Sequence, residues 1–513
     1  MTTFFFKTCN FYYSLFVQFD HILLYSIFKT LHTTHSLKIC IILRTQNLTI
    51  HPLLYYNIIS EILGGKIMKQ NESGVLILSE TKQGERIVSC GGRISTRPGT
   101  AIELYRKATD KDKNLNLVSK VVSSGHKTVL EHHYFNLAFN NVSIFVEQYL
   151  IEFRMASFTI KSGRYVNFSN SGFNLPDGFN DEQKKMLKTH YKKMFKMYDR
   201  FVEAGIPVED ARFVLPYGLK TNIYMSLNAR ELIHVICSMV YGRGSKYEEI
   251  YKLGLSLKEQ FDLRYPNLIE NSQKLYTNEL DEILVHTPTE AKKPEFVKHS
   301  AKLLSFPQNA FESINEYAKA SGYEKFDLQT SLKDDKHAKL LEHFYYTFKV
   351  ENFSMIVLKH YTRHRMQSLS TAPLAKMMTS NKFVVPETIS SNPELLADFE
   401  KCIKENRKIY NKLVAQNINP HLLVYVAPHA TAIDFVTTYN ARELLHLANL
   451  RTCTRAQWEI RYLVTDMLAQ IKKTDPEMFK GFGPSCYTFG VCPEGRMCCG
   501  RQAEMKQKFD NME

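Results

Sequence analysis

The sequence has no long uncharged hydrophobic run and no signal for export. Charged residues such as Lys7, Asp20 and Lys29 interrupt even its most apolar stretch, the first 67 residues. A membrane-spanning helix needs roughly 18–20 apolar residues in succession, and a secretory signal needs a small-residue cleavage site behind a compact apolar core. Neither occurs, so we expect a cytoplasmic protein with no membrane partner.

The sequence also lacks a dense block of basic residues, although it is basic overall. Its 66 Lys and Arg against 52 Asp and Glu give a formal net charge of +14. A nucleic-acid-binding segment would concentrate these charges in one stripe, whereas here they are dispersed. This excess of positive charge is typical of a protein that binds anionic small molecules such as nucleotides, or of one whose surface is simply rich in lysine. We expect no nucleic-acid partner.

No two cysteines have the C-x2–4-C spacing that usually begins a zinc site. Of the ten cysteines, four lie close together in the C-terminal tail, as Cys486, Cys492, Cys498 and Cys499. A reducing cytoplasm disfavours disulfides between them. We therefore expect loose thiols and no metal site, with zinc as the alternative.

Residues 1–67 differ in composition from the rest of the chain. They are rich in Phe, Tyr, Leu, Ile, His and Thr, and contain only five Lys or Arg and two Asp or Glu. The codons of Leu63–Met68 could contain a purine-rich bacterial ribosome-binding site just before an ATG. We therefore expect translation to begin at Met68, with residues 1–67 a misassigned or disordered leader.

Two long segments of the chain match one another. Residues 126–157 and 337–368 align without a gap at an offset of 211, and eleven of the 32 positions are identical. Further along, Asn228–His234 reads NARELIH and Asn440–His446 reads NARELLH, at an offset of 212. An offset that stays constant to one residue over about a hundred indicates tandem duplication of a whole domain.

Each copy has the pattern of an α+β domain. The segments LEHHYFNLAF and LEHFYYTFKV alternate apolar and polar residues as half-buried strands do, and long segments with helical spacing follow. We predict two tandem domains, each an antiparallel sheet packed with long helices, at residues 68–285 and 286–513. The junction is expected near His286–Glu295, which contains two prolines and several charges.

Arg363-His364-Arg365 is the sharpest local feature. Two guanidinium groups beside an imidazole suit phosphate, carboxylate or the electron-rich edge of a flavin, and Ser368 follows one turn later. An isolated segment of this kind is also typical of an exposed basic turn. The equivalent in the first copy is Glu152-Phe153-Arg154, which indicates that the copies have specialised.

With these motifs the chain resembles the flavin-dependent thymidylate synthases. That family carries R-H-R-x-x-S-x-N-E-x-S-x-R, an upstream H-x-T-x-x-E-H segment, A-R-x-V-L-P, and N-A-R-E-L followed by A-Q-W-E-I. All of these occur here in whole or in part, divided between the two copies, over nearly everything from Met68 to Arg501. The set, ordered and repeated, is far more specific than any one element.

The two copies carry complementary parts of the family pattern. The first keeps Ser162-Gly163-Arg164 and Arg212, whereas the second keeps Arg363-His364-Arg365 and Arg451. Members of the family are homotetramers whose sites are assembled from neighbouring subunits. The resemblance therefore implies one composite site built from both copies, and a homodimer of two-domain chains that forms a pseudo-tetramer.

The departures from the pattern are complementary as well. Glu152, Phe153 and Met239 replace the Arg, His and pyrimidine-contacting Arg in the first copy. Ala375 and Val424 replace two arginines of the nucleotide clamp in the second. The Asn-Glu pair of the motif is absent from both copies, which leaves open a degenerate paralogue that binds flavin or nucleotide without chemistry.

The resemblance implies a reaction with three small molecules. FAD reduced by NADPH carries the hydride, methylenetetrahydrofolate supplies the carbon, and dUMP accepts it. Arg451 would hold the uracil edge as the catalytic group, and Ser162, Gly163, Arg164 and Arg212 would complete the dUMP site. The residues implied for FAD are Ser95, His126, Thr128, Asn228, Arg230, Arg363, His364, Arg365, Asn440, Arg442 and His446.

Overall fold

The computed structural model describes residues 72–275 and 293–512. The predicted leader and most of the predicted junction lie outside these ranges, so the proposed translation start and the domain boundaries stay predictions. Within the described ranges no helix is both long and apolar enough to cross a bilayer.

The first copy is built on a four-stranded antiparallel sheet with strand order β1-β2-β4-β3. Strand β2 turns Phe135, Leu137 and Phe139 into the core and leaves Tyr134 and Asn136 exposed, as the alternation predicts. The elements are β1 Gly74–Glu80, α1 Gly84–Ile94, α2 Ala101–Lys107, α3 Lys111–Ser123, β2 Tyr134–Ser143, α4 Ile144–Leu150, β3 Ser157–Ile160, α5 Asp181–Glu203, α6 Val208–Ala211, β4 Lys220–Asn228, α7 Ala229–Val240, α8 Glu248–Asp262 and α9 Leu268–Ser272.

The second copy repeats this sheet with strand order β6-β7-β10-β8 and adds a short parallel pair, β5 with β9. The predicted α+β class is therefore confirmed. The elements are β5 Glu295–Phe296, β6 Ser300–Ser305, α10 Ala310–Ala320, α11 Leu328–Ser331, α12 Asp335–Ala338, β7 Tyr345–Ser354, α13 Met355–Tyr361, β8 Gln367–Thr371, α14 Leu374–Met377, β9 Lys382–Phe383, α15 Glu387–Ser390, α16 Pro393–Ala415, β10 Ala432–Asn440, α17 Ala441–Arg451, α18 Trp458–Thr474, α19 Ser485–Thr488 and α20 Gln502–Asp510.

The predicted first strand of each repeat begins too early. The Leu-Glu-His residues form 3-10 turns, Lys127–His132 and Lys339–His343, and the strands start only at Tyr134 and Tyr345. At each turn the glutamate stays at the surface in an ion pair, Glu131 with Arg230 and Glu342 with Arg442. Alternation alone cannot distinguish such a turn from the strand that continues it.

The register of the sheets confirms the duplication. Ser157 pairs with Ser226 in the first copy, and Ser368 pairs with Thr438 in the second. Ser368 lies 211 residues after Ser157, and Thr438 lies 212 residues after Ser226, so equivalent positions are paired in the two sheets. The long helices α5 and α16 begin after asparagine caps at Asn180 and Asn392, already at the offset of 212. The second copy therefore gains its extra residue in the loop between these strands and helices.

The two copies meet backbone to backbone around an approximate two-fold axis. Pro216 forms an antiparallel bridge with Pro428, its own counterpart in the other copy. The Tyr217 amide donates to the Ala427 carbonyl at 2.9 Å, and the His429 amide donates to the Leu215 carbonyl at 2.9 Å. These bonds fix the segment that precedes β4 against its equivalent before β10.

Helices α5 and α16 pack against one another at the same interface. Arg200 on α5 pairs with Asp398 at 2.5 Å and with Glu394 at 2.6 Å on α16. Deeper in this contact, the Asn406 amide donates to the Val426 carbonyl at 2.9 Å and lies 3.2 Å from His190 Nε2. Polar contacts of this kind fix the alignment of two helices that apolar packing alone would leave free to slide.

A glutamate supports the end of the second strand in each copy, partly buried in the first copy and fully buried in the second. The Ser143 amide and hydroxyl donate to the two carboxylate oxygens of Glu249, at 2.9 and 2.7 Å. Ser354 repeats this pairing with Glu459, its amide at 2.9 Å from Oε1 and its hydroxyl donating to Oε2. These serines begin α4 and α13, the helices that lead to Glu152 and Arg363, so each glutamate fixes the start of a helix that ends at a candidate site.

Burial raises the pKa of Glu459 to about 7 from an ordinary 4.5, although its bonds to Ser354 oppose the shift. Because the folded-state pKa exceeds the unfolded one, folding takes up a proton between about pH 4.5 and 7. The free energy of unfolding should therefore fall as the pH rises through that window. We expect ionisation of Glu459 to lower the free energy of unfolding by about 3 kcal/mol at pH 8.

Glu459→Gln should remove this contribution, because its amide oxygen still accepts from the Ser354 amide but carries no titratable proton. Urea unfolding of both proteins across the window measures the difference. Equal dependence of stability on pH in the two proteins would contradict the prediction.

Candidate active site

The Arg-His-Arg segment follows the last turn of α13 and is held by Gln367. The Gln367 side-chain amide donates to the carbonyls of Tyr361 at 2.8 Å and His364 at 2.7 Å, and its oxygen accepts from the Thr437 hydroxyl at 3.0 Å. This buried glutamine fixes the turn on the sheet. His364 is buried, whereas the side chain of Arg365 is exposed.

The arginines on either side of His364 are free to bind a ligand. Both Arg363 and Arg365 are exposed, and neither side chain forms a hydrogen bond or ion pair with any residue that the structure describes. An exposed and unpaired guanidinium group can form charge-assisted hydrogen bonds to an anion, so each of these arginines is available to an anionic ligand.

His364 lies in the centre of a polar chain. Arg451 Nε donates to His364 Nε2 at 2.9 Å, so the imidazole proton lies on Nδ1, which is 3.2 Å from Glu443 Oε1. Burial, together with the charge of Arg451, holds the pKa of His364 well below its usual range. The imidazole is therefore neutral at pH 7 and orients Arg451 rather than adding a third positive charge.

Arg451 is buried more deeply than the arginines of the motif. Burial, with the charges of Arg363 and Arg164, lowers its pKa to about 10, so it stays charged at neutral pH. A desolvated cation held by a neutral histidine interacts strongly with negative charge that develops beside it. The ring centre of His446 lies 5.8 Å from that of His364, so His446 lies next to the same group of residues.

The first copy contributes Arg164 to this region. Its Nε donates to Glu209 at 2.6 Å, and its Nη2 donates at 2.5 Å to the carbonyl of Arg455 in the second copy. The turn that carries Arg164 closes on Ser162, whose hydroxyl accepts from the Arg164 amide at 3.3 Å. Arg164 therefore crosses from one copy to the other and lies beside the loop that follows Arg451.

Arg212 lies directly beneath this turn and is buried. Its Nε donates to the Glu209 carbonyl at 3.0 Å, while its Nη2 has no hydrogen-bond partner in the described part of the chain. A Cβ on Gly163 would lie 2.6 Å from Arg212 Nη1, so only glycine allows the turn to come this close. Burial lowers the pKa of Arg212. An unsatisfied buried guanidinium donor is costly, and an anionic ligand would offset that cost.

A buried ion pair joins the copies next to these arginines. Lys359 Nζ on α13 lies 2.6 Å from Glu147 on α4, and the Glu147 side chain is 1 % exposed. The charges of Arg212, Arg451 and Arg363, after burial itself, hold the pKa of His360 well below its usual range. Positively charged side chains from both copies thus lie close to one another around the end of α13.

The equivalent region on the other side of the two-fold axis has different chemistry. Glu152 pairs with Arg243 at 2.6 Å, and Phe153 is buried against the ring of His234 at 5.2 Å. Met239, at the position of Arg451, is fully buried. A cavity of about 150 Å³ remains here, lined by Glu152 and Arg243 and, from the second copy, by residues 371–374. An ion pair and apolar groups thus take the place of the cation cluster.

The other residues predicted for the cofactor have mainly structural contacts in one chain. Asn228 and Asn440 cap α7 and α17. Arg230 pairs with Glu131 at 2.5 Å, and Arg442 pairs with Glu342 at 2.6 Å. Ser95, His126 and Thr128 are exposed on the first copy. No hydrogen bond, ion pair or ring contact among the described residues joins these groups to His364.

The profile of the thymidylate synthase complementing protein family matches this chain twice, at residues 76–267 and 284–477. The chain belongs to that family. The double match agrees with the duplication found in the sequence and in the two sheets. The predicted resemblance is therefore confirmed, and the complementary division of the motifs lies within two complete family segments.

Two curated members of the family are about half as long as this chain. The flavin-dependent thymidylate synthase of Geobacter sulfurreducens is 35 % identical over 234 residues, which cover 45 % of this chain and 97 % of the relative. The enzyme of the same name from Clostridium tetani is 31 % identical over 245 residues, 44 % of this chain and 95 % of the relative. A solved structure of the UMP/dUMP methylase PolB from Streptomyces cacaoi, bound with 5-Br dUMP, is 21 % identical with a TM-score of 0.34, and covers 40 % of this chain and 96 % of that one.

Sequence reasoning missed the residues that hold the candidate site together. Gln367 and Glu209 give no pattern, because each acts through a contact with a residue far away in the chain, and the motif that contains Glu443 does not show its contact with His364. Glu147 and Lys359 did leave a signal. Each is a charged residue within an otherwise apolar helical segment, and a charge at such a position needs a buried partner.

The chain itself provides a matched test of the buried pair, because Leu358 and Gln148 occupy the equivalent positions in the opposite copies. Glu147→Leu should leave Lys359 buried without its partner and destabilise the protein by about 3–5 kcal/mol. Adding Lys359→Gln should restore most of that stability. Chemical unfolding followed by circular dichroism measures both effects. A double variant that is as unstable as the single one would show that the pair is not the relevant contact.

Proposed function

We propose that this chain is a flavin-dependent thymidylate synthase with one composite site, which converts dUMP to dTMP. The observation that carries the proposal is the shared neighbourhood of Arg451 from the second copy and Arg164 and Arg212 from the first. Each copy alone lacks part of this set, because Met239 replaces Arg451 and Ala375 and Val424 replace the other two. The proposed co-substrates are methylenetetrahydrofolate and NADPH.

The second copy fits FAD in its charge and exposure. Arg363 and Arg365 are exposed and unpaired within the described residues, and they flank a neutral imidazole that already orients Arg451. FAD, when bound, supplies the hydride chemistry of the reaction. The role of the chain is to hold this group with Arg363 and Arg365 and to stabilise its negative charge. The first copy does not fit, because Glu152 repels anions and is paired with Arg243.

The pyrimidine nucleotide would lie between the copies. Arg164 and Arg212 are proposed to bind its phosphate, for which the unpartnered Arg212 Nη2 is a suitable donor. Glu209, which holds Arg164 now, would keep that side chain near the phosphate. Arg451 would contact the uracil edge and stabilise negative charge on the ring, in an orientation fixed by His364.

A homodimer would give the exposed residues a role. Ser95, His126 and Thr128 are not joined to His364 within one chain, yet the family pattern assigns them to the cofactor. We propose that two chains associate so that these residues of one chain face the Arg-His-Arg segment of the other. The four copies would then form the closed pseudo-tetramer.

One observation favours a second candidate, a degenerate paralogue that binds flavin or nucleotide without synthase activity. The Asn-Glu pair of the family motif is replaced by Thr159-Ile160 in the first copy and by Ser370-Thr371 in the second. These residues lie on β3 and β8, next to β4 and β10. The first experiment below tests which copy holds the flavin, and the second tests the composite nucleotide site.

Flavin binding should depend on the second copy. Arg365→Ala removes one of the two unpaired guanidinium groups, and loss of one charge-assisted contact costs about 1.5–3 kcal/mol, or roughly ten- to a hundredfold in affinity. Glu152→Ala at the other site is the matched control and should leave flavin bound. Flavin absorbance after gel filtration measures both. Flavin release by Glu152→Ala, with retention by Arg365→Ala, would reverse the assignment.

Nucleotide binding should require both copies at once. Arg164→Ala and Arg451→Ala should each weaken dUMP binding, and the double variant should be non-additive by about 0.5–3 kcal/mol, because the two residues share one ligand. Titration of dUMP against the flavin difference spectrum measures all four proteins. Flavin should stay bound in each. A wild-type protein that shows no response to dUMP would defeat the composite site and support the paralogue.

A further inference from the structure

Five cysteines that are far apart in the sequence come together at the C-terminal end of the second copy. Cys486 lies close enough to Cys453, Cys492 and Cys499 for their charges to interact, and Cys492 interacts in the same way with Cys498 and Cys453. Cys453 follows α17, more than thirty residues before the tail. The fold therefore supplies a ligand that the spacing of the tail alone does not show.

Backbone amides surround these sulfurs in a repeated pattern. The Arg455 amide donates to Cys453 Sγ at 3.5 Å, and the Gly500 amide donates to Cys498 Sγ at 3.4 Å. The amides of Glu494 and Arg501, each two residues after a cysteine, favour the thiolates of Cys492 and Cys499 in the same sense. Amide hydrogen bonds stabilise sulfur as a thiolate, which is the form that binds a metal.

Two glycines in left-handed conformations shape the loops around the thiols. Gly495, three residues after Cys492, has φ +52°, and Gly500, directly after Cys499, has φ +72°. The segments Cys-Pro-Glu-Gly and Cys-Cys-Gly each turn sharply there, which lets the amides point back at the preceding sulfur. The arrangement is repeated, although the two segments are different in sequence.

We propose that Cys453, Cys486, Cys492 and Cys498 bind one tetrahedral Zn²⁺ ion. Four thiolate ligands select zinc among the common cellular divalent ions, and four-coordinate thiolate sites are typical of structural zinc. Cys499 is left outside the ligand set because four ligands complete the tetrahedron and the adjacent Cys498 already accepts the Gly500 amide. This proposal replaces the expectation of loose thiols and does not depend on thymidylate synthesis.

The cysteine sulfurs lie further apart than the four sulfur ligands of a bound zinc ion would. Among the described residues, no three cysteine sulfurs lie within 4.8 Å of one another. Zn–S bonds of about 2.3 Å place tetrahedral sulfurs roughly 3.8 Å apart, so binding of the ion would draw the tail loops inward. The exposure of Cys498 and its position on a glycine-containing loop allow that movement.

The proposed ion would fix a loop that the composite site uses. Cys453 belongs to the turn between α17 and α18, and within that turn the Arg455 carbonyl accepts from Arg164. Arg455 also contacts the tail, with its Nη2 at 3.8 Å from Met497 Sδ. A zinc ion would therefore connect the tail to the turn that joins the copies.

The test is the metal content of the full-length chain, purified without chelator and measured by mass spectrometry of the elements. We expect one zinc per chain in the wild type and in Cys499→Ser. Cys492→Ser should weaken zinc binding by about tenfold or more and so lower the zinc content that the purified protein retains, because even second-shell losses weaken metal binding by that factor. Cys90→Ser, a partly buried cysteine on α1, is the matched control and should keep the ion.

A second measurement covers a Cys492→Ser protein that does not fold. Wild-type protein stripped with a chelator is titrated with Co²⁺, which gives intense visible bands when four thiolates bind it tetrahedrally. Those bands at one equivalent, displaced by Zn²⁺, support the proposal. Purified protein without metal whose tail thiols all react freely, and stripped protein that gives no cobalt bands, would overturn it. Iron in place of zinc would overturn the assignment of the ion.

Discussion

The backbone bridge between Pro216 and Pro428 is the constraint on which the rest of the structure depends. It holds residues 213–218 of one copy against residues 425–430 of the other through direct amide–carbonyl bonds. Arg212 comes just before this segment, so the bridge places its guanidinium beside α13 of the opposite copy. The two-fold axis therefore creates the interface and brings Arg164 and Arg212 of the first copy near Arg451 of the second, which is the arrangement that the proposed composite site requires.

The same axis explains why the copies could diverge in opposite directions. A two-fold interface has two equivalent sites, and each takes half of its residues from each copy. Loss of the Arg-His-Arg segment in the first copy and of the clamp arginines in the second affects the same site, the one that now holds Glu152 and Arg243. The other side keeps the arginines of both parts of the pattern, although the Asn-Glu pair is absent from both copies. The Glu147–Lys359 pair occurs once, so the two copies of this chain are no longer interchangeable, and pairing two first copies would bury Glu147 opposite Gln148.

Much of this architecture was predictable, because repeats and motifs are local properties of the sequence. The duplication, the α+β class and the family resemblance followed from two aligned segments and a few spaced residues. The strand starts were misplaced, since alternation continues through the 3-10 turns at Lys127–His132 and Lys339–His343. Gln367, Glu209 and Cys453 were missed because their roles come from contacts that only the folded chain makes. The shared neighbourhood of Arg164 and Arg451 was expected from the family pattern, whereas the loop that connects them was not.

That loop, between α17 and α18, is where the separate features of the molecule meet. At its start, Arg451 donates to His364, and its Arg455 carbonyl accepts from Arg164 of the first copy. Between them lies Cys453, which faces the cysteines of the tail. A short loop without a helix or strand of its own has few internal bonds, so its position depends on what holds it from outside. His364 contacts Arg451 at the start of the loop, Arg164 of the first copy contacts Arg455 further along, and the tail contacts Arg455 through Met497. Loss of the contacts between the tail and this loop would therefore displace both Arg451 and Arg164, although neither residue touches a cysteine.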